Sequence, residues 1–237
     1  MRRFEIFITV IVLYSLTAFS SEHHRNAEKL PGCRTSADLE IVFSPGCTEK
    51  IVYEINQAKI SISVLAYSYT SEPIGAALLN AKKRGVEVKV IVDAGRVFEP
   101  KSRVKEERGE LEIRSDPAHA IMHQKVIVID PDTDSAVVIA GSFNFTAAAE
   151  YNNAENINVI RSKDAAKCYR DNWLEHSKHS PIVTDAMEKE YFDKLSTRKE
   201  LEADRHQDNG YSIWTIIAFV ICFLVIKFII DRLLGRK

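Results

Sequence analysis

Residues 123–146 read HQKVIVIDPDTDSAVVIAGSFNFT, and the fold turns on them. After Lys125, residues 126–129 are apolar at every position, the pattern of a strand buried on both faces. Residues 131–135 form a turn around Pro131, and residues 136–140 supply a second apolar strand. Residues two apart on a strand share a face, so His123 pairs with Lys125, and Ser142 with Asn144 at the neighbouring strand end. An imidazole, an ammonium, a hydroxyl and a carboxamide can then converge on one anion. Phosphate suits that set, with charge from Lys125, hydrogen bonds from Ser142 and Asn144, and attack or proton transfer by His123.

Outward from this block, strand-like and helix-like segments alternate. Strands are expected at residues 39–43, 60–67, 86–92, 111–113 and 157–160. Helices are expected from Thr48 to about Gln57, over 71–84 with Ser71 as cap and Gly85 as stop, and over 164–176. Residues 99–108 read as a solvated helix or loop. The alternation predicts an α/β fold with a mostly parallel central sheet flanked by helices. No internal repeat is visible.

The two ends are read separately. Residues 1–20 carry Arg2 and Arg3, an apolar run and a small-residue cleavage site, the pattern of a secretory signal, with an uncleaved anchor as the rival. Residues 21–37 read as a linker into a domain over 38–180, followed by a charged helical stalk over 181–210. Residues 211–230 read as one transmembrane helix, flanked by Tyr211 and Trp214 on one side and by Lys227, Arg232, Arg236 and Lys237 on the other. That places a tail over 231–237 in the cytoplasm and the domain on the exported side. In an oxidising compartment Cys33 and Cys47 can close a short loop, with Cys168 a buried thiol on its helix.

The chain of 237 residues is 46% hydrophobic and 27% charged, which is globular rather than disordered. Its 32 Lys and Arg against 33 Asp and Glu leave a net charge of −1, against a scaffold coated in basic residues for nucleic acid. His119 and His123 have a spacing that binds zinc on a helix, but no Glu follows His119 and His123 leads a β-rich run. His119 is expected as a loop side chain near the site. Asn144, Phe145 and Thr146 form a glycosylation sequon, read as coincidence because a glycan there would fill the phosphate site.

His123, Lys125 and Asp130, followed by Gly141, Ser142 and Asn144, resemble the H-x-K-x4-D and G-S-x-N signature of the phospholipase D superfamily. The likeness is closest to its short, single-motif bacterial members, which include secreted endonucleases and small phospholipases D. It covers about residues 38–178, and the turn over 131–135 is a slight enlargement on the pattern. The resemblance implies that His123 is a nucleophile forming a phosphohistidine. It implies that Lys125, Ser142 and Asn144 bind phosphate, that Glu155 orients the histidine, and that Asp130 is structural. It also implies a homodimer in which two copies of His123 meet, since the chemistry asks for two histidines and the chain carries one motif. No cofactor or metal is implied. Phospholipid is the favoured substrate on the strength of the expected tether, with DNA or RNA as the alternative and a catalytically idle interaction protein as a second one.

Overall fold

The computed structural model describes residues 32–208, 217 and 220–227. The expected signal over 1–20, most of the linker, and the tail over 231–237 lie outside the described residues. The chain divides into two units, Met1–Thr184 and Asp185–Lys237.

The first unit is built on a seven-stranded sheet. Its strands are β1 (Asp38–Phe43), β2 (Ser61–Ala66), β3 (Glu87–Asp93), β4 (Glu112–Asp116), β5 (Lys125–Ile129), β6 (Val137–Gly141) and β7 (Asn156–Arg161), in the order β1-β7-β6-β5-β2-β3-β4. Only β2–β3 and β3–β4 are parallel. The pairs β1–β7, β7–β6, β6–β5 and β5–β2 are antiparallel, which corrects the expectation of a mostly parallel sheet. The reason lies in the connections. A parallel return needs a crossover of a dozen or more residues that brings the chain back to the opposite edge of the sheet, as residues 67–86 and 94–111 do between β2, β3 and β4. Residues 117–124 and 130–136 are too short for one, so β5 and β6 fold back on their neighbours.

Helices cover both faces. One face carries α1 (Cys47–Gln57) and α2 (Glu72–Lys83), which pack against each other. Pro73 sits in the first turn of α2, and Gly85, at φ 92°, stops the chain just past its end in a conformation glycine adopts without cost. The region over 99–108 contains only the short α3 (Val104–Glu107), and α4 (Ala147–Tyr151) is equally brief. The other face carries α5 (Lys163–His179), started by Ser162, whose Oγ accepts from Ala165 N. Ala166 and Trp173 of α5 pack with Leu65, Ile91, Val126, Val128 and Val138, and the Trp173 indole donates to Val64 O at 3.1 Å. Each such buried aliphatic side chain contributes about 1.5–3 kcal/mol relative to exposure.

The disulfide joins Cys33 to Cys168, not Cys33 to Cys47. Cys47 points into the core at the start of α1, where its Sγ lies 3.5 Å from Val42 O and burial pushes its thiol up to about 11.

The second unit begins with α6 (Asp185–Asp208), the helix of the charged stretch. Among the described residues no helix is long and apolar enough to cross a membrane. The expected membrane-spanning helix over 211–230, and attachment to a membrane through it, are therefore not borne out. The charge-free run over 213–226 holds fourteen residues, about 21 Å of helix against a hydrocarbon core of about 30 Å. Spanning required Lys227 to be carried inside.

Candidate active site

One edge of the sheet collects the polar residues. The C-terminal ends of β2, β3, β4, β6 and β1 and the N-terminal ends of β5 and β7 all meet there, because β5 and β7 run against their neighbours. Lys125 opens β5 with His123 two residues before it, residues 142–144 leave β6, and Glu155 immediately precedes β7. The segment 123–125 is held in place from β2, since Tyr67 N donates to Gln124 O at 2.9 Å.

His123 is exposed and Lys125 buried. Both lie against the ring of Tyr67, with the His123 ring centroid 4.6 Å away and Lys125 Nζ 5.1 Å from the ring centre. The Lys125 ammonium donates to His123 O at 2.8 Å. Burial lowers the pKa of Lys125, and the negative charge of Glu155 works in the opposite direction. A lysine held like this is a cation short of solvent, suited to an anionic ligand that restores what burial took away.

Ser142 is tied to Asn156, whose backbone N–H donates to Ser142 Oγ at 3.2 Å, while Ser142 N donates to Asn156 O at 3.1 Å. This close approach of β6 to β7 explains Gly141. A Cβ there would stand 2.2 Å from Asn156 O and 2.9 Å from Ile157 Cα. Asn144 is half-buried, and its enclosed Oδ1 has no hydrogen-bond partner among the described residues. Such an orphaned amide at a site edge is a group waiting for a polar partner. Glu155 accepts from Asn153 Nδ2 at 3.1 Å, and among the described residues no hydrogen bond joins it to His123.

Asp130 sits at the far end of β5. It accepts hydrogen bonds from the backbone amides of Lys59, Ile60 and Ser61, each at 2.8 Å, and so pins the turn that leads into β2. Its φ of 47° is one that Asp tolerates better than most residues.

Two residues at the edge carry no motif. Tyr67 separates the histidine from a guanidinium: Arg96 donates to Tyr67 Oη through Nη2 at 2.7 Å and Nε at 3.0 Å, and pairs with Glu99 at 3.2 Å. Ser68 Oγ in turn donates to Glu99. The sequence holds Tyr67 at a strand end and Arg96 after Gly95, but nothing in their spacing ties them to His123; the register of β2 and β3 does that. His119, expected beside this site, faces Asp116, His176 and His179 instead.

An open groove of about 590 Å³ runs from His123, Gln124 and Lys125 over Val126, Ala140 and Gly141 to Asn158, Ile160, Leu39 and Tyr169. An imidazole and an ammonium stand at one end, and Val126, Ala140 and Gly141 lie along the floor. The side chains of Leu39, Ile41 and Phe43 continue that apolar surface across β1 and are largely exposed.

Comparison with known proteins agrees with this arrangement. The family model described as the cardiolipin synthase, PLD-like domain matches residues 51–176. A phospholipase D of Rickettsia conorii is 37% identical over 163 residues, 68% of this chain and 77% of that protein. A phospholipase D of Rickettsia bellii is 40% identical over 154 residues, 64% of this chain and 73% of that protein. Among solved structures, Nuc of Salmonella typhimurium, a phospholipase D family member, superposes with a TM-score of 0.57 at 31% identity, covering 63% of this chain and all of that one.

Proposed function

Since the chain belongs to the phospholipase D superfamily and is a hydrolase of phosphoric diesters, we propose that it cleaves phospholipid headgroups through a phosphohistidine at His123. The observation that carries this reading is the pairing of an exposed imidazole with a buried ammonium against Tyr67, at the edge where Ser142, Asn144 and Glu155 arrive. A ring nitrogen of His123 attacks phosphorus, the bond to the leaving oxygen breaks, and a second imidazole protonates that oxygen. Water, deprotonated by the same second imidazole, then attacks phosphorus, and the phosphorus–nitrogen bond breaks to free His123. Lys125 and Asn144 hold the phosphoryl oxygens as charge accumulates on them. Ser142 adds a hydroxyl beside them, and Glu155 favours the cationic form of its neighbours.

The second imidazole is His123 of another copy. This chain has one such motif, and the uncovered apolar face of β1, with Leu39, Ile41 and Phe43, adjoins the groove and suits burial against a two-fold partner. Phospholipid is favoured because the relatives from Rickettsia carry the name phospholipase D and match most of their length. The groove's apolar floor gives an acyl chain somewhere to lie. Export of the domain is part of the reading, supported by a disulfide that needs an oxidising compartment.

The test is a paired assay of the full chain and its His123→Ala variant, on phosphatidylcholine and phosphatidylglycerol vesicles and on single- and double-stranded DNA. Headgroup release by the parent, lost at least about 10³-fold in the variant, is expected. DNA cleavage without headgroup release overturns the lipid assignment and leaves a nuclease of the same chemistry. Unchanged turnover in the variant overturns the covalent step. Sedimentation of the same active protein as a monomer overturns the shared site.

A further inference from the structure

Away from the groove, a carboxylate and three imidazoles crowd together with no part in the phosphodiester chemistry. Asp116 ends β4, His119 follows three residues later, and His176 and His179 lie one turn apart at the end of α5. One donor atom from each of the four lies within 4.8 Å of all the others. The three rings are mutual neighbours, with centroids 5.0, 5.4 and 5.5 Å apart.

The geometry points to a structural divalent-metal site, best suited to zinc, formed by Asp116, His119, His176 and His179. Zinc takes four ligands at about 2.0–2.1 Å in a tetrahedron, which sets ligand atoms about 3.3 Å apart. His119 Nδ1 stands 3.2 Å and His179 Nε2 3.4 Å from Asp116 Oδ2, already at that spacing. His176 Nδ1, at 2.6 Å, hydrogen-bonds to the same oxygen and needs a shift of less than about 1 Å to become a ligand. Three imidazoles and a carboxylate form the donor set that zinc and its borderline neighbours prefer, and that magnesium and calcium do not.

Hydrogen bonding satisfies the carboxylate but gives no reason for three rings to pack on one another around it. Asp116 is fully buried, and its two oxygens gather the Ala118 amide, at 3.0 Å, and all three rings. Protonating the rings to match the carboxylate would place cations in mutual ring contact. A divalent ion instead meets all four donors at once.

The surroundings are those of an outer shell. Gln124 Nε2 donates to His176 Nε2 at 3.1 Å, and with a metal on Nδ1 that Nε2 carries the proton, so the amide turns over and its oxygen accepts from the ring. Ser180 Oγ donates to His176 O, and the Arg114 guanidinium donates to Ser180 O at 2.9 Å, fixing the end of α5. Gln124 lies between His123 and Lys125. Metal at this point clips residues 116–124, the segment leading into His123, to the last turn of α5. The ion positions that segment and takes no part at phosphorus, since none of the four ligands lines the groove.

The test uses the full chain, stripped with chelator, dialysed and titrated with zinc. One tightly held zinc per chain by elemental analysis, and a melting temperature that rises with zinc concentration, are expected. Cobalt in its place should give the visible absorption of a tetrahedral site, a readout that needs no variant. His179→Ala, at the helix end where a lost side chain is least disruptive, should bind zinc at least about tenfold more weakly. His123→Ala should bind it as the parent does, which separates this inference from the fate of the phosphodiesterase reading. A folded parent chain that holds no zinc, or a His179→Ala variant with undiminished affinity, overturns the proposal.

Discussion

Lys125 keeps its charge against a burial penalty, and that has a measurable consequence. Only the ammonium form holds a phosphoryl oxygen, and burial shifts its titration downwards from the ordinary lysine value of about 10.4. A lowered pKa means the proton is lost earlier as pH rises. The alkaline limb of kcat/KM is therefore expected below the ordinary lysine range. Glu155→Gln removes the one negative charge that favours the ammonium, so the limb should move further down. Profiles of kcat/KM against pH for both proteins check this, and a limb at the ordinary lysine position would show that Lys125 does not govern it. At this scale much was legible in the sequence. His123, Lys125, Ser142, Asn144 and Glu155 were all named from spacing and resemblance, and they come to one edge of the sheet. Tyr67 and Arg96 were not, because their proximity to His123 depends on how β2 and β3 pair with the rest of the sheet.

At the scale of elements, the β6–β7 pair carries the sharpest constraint. A side chain at Gly141 would meet backbone atoms of Asn156 and Ile157, which cannot swing aside as a side chain can. Gly141→Ala should therefore destabilise the protein by about 2–3 kcal/mol, the upper part of the range for overpacking. Turnover should fall with it, because Ser142 is anchored to Asn156. Gly109→Ala, where nothing lies within 4 Å of the added carbon, should stay within about 0.5 kcal/mol. Urea midpoints for the two variants make the comparison. Sheet direction departs from the mostly parallel expectation at this scale. Strand and helix periodicity is local, whereas direction depends on whether a connection crosses back over the sheet, and residues 117–124 are too short to do so.

For the whole molecule, the Cys33–Cys168 bridge closes 135 residues and ties the segment before β1 to α5. Closing a loop of that length restricts the unfolded chain by about 5 kcal/mol in the chain-entropy account, and removing native bridges costs about 2–5 kcal/mol in practice. Cys168→Ser should lower stability by that amount, read by thermal unfolding, and added reductant should have little further effect on the variant. Cys47, buried and with its thiol pushed up to about 11, should resist thiol reagents until the chain unfolds. Sequence order suggested the short Cys33–Cys47 loop. Packing chose otherwise, because Cys47 faces inward at the start of α1.

What the sequence determined by itself is local form and candidate chemistry: strands and helices from periodicity and caps, a set of polar residues from type and spacing, and membership of a superfamily. These properties are set within short windows of the chain, where backbone sterics and side-chain period decide the outcome. Tertiary structure alone decided which strands run antiparallel, which cysteines join, that Tyr67 stands between His123 and Arg96, and that Asp116 and His119 meet His176 and His179 some sixty residues on. Those outcomes depend on contacts between distant segments, chosen by loop length and by how two faces of one sheet are buried, and no window of sequence contains both partners.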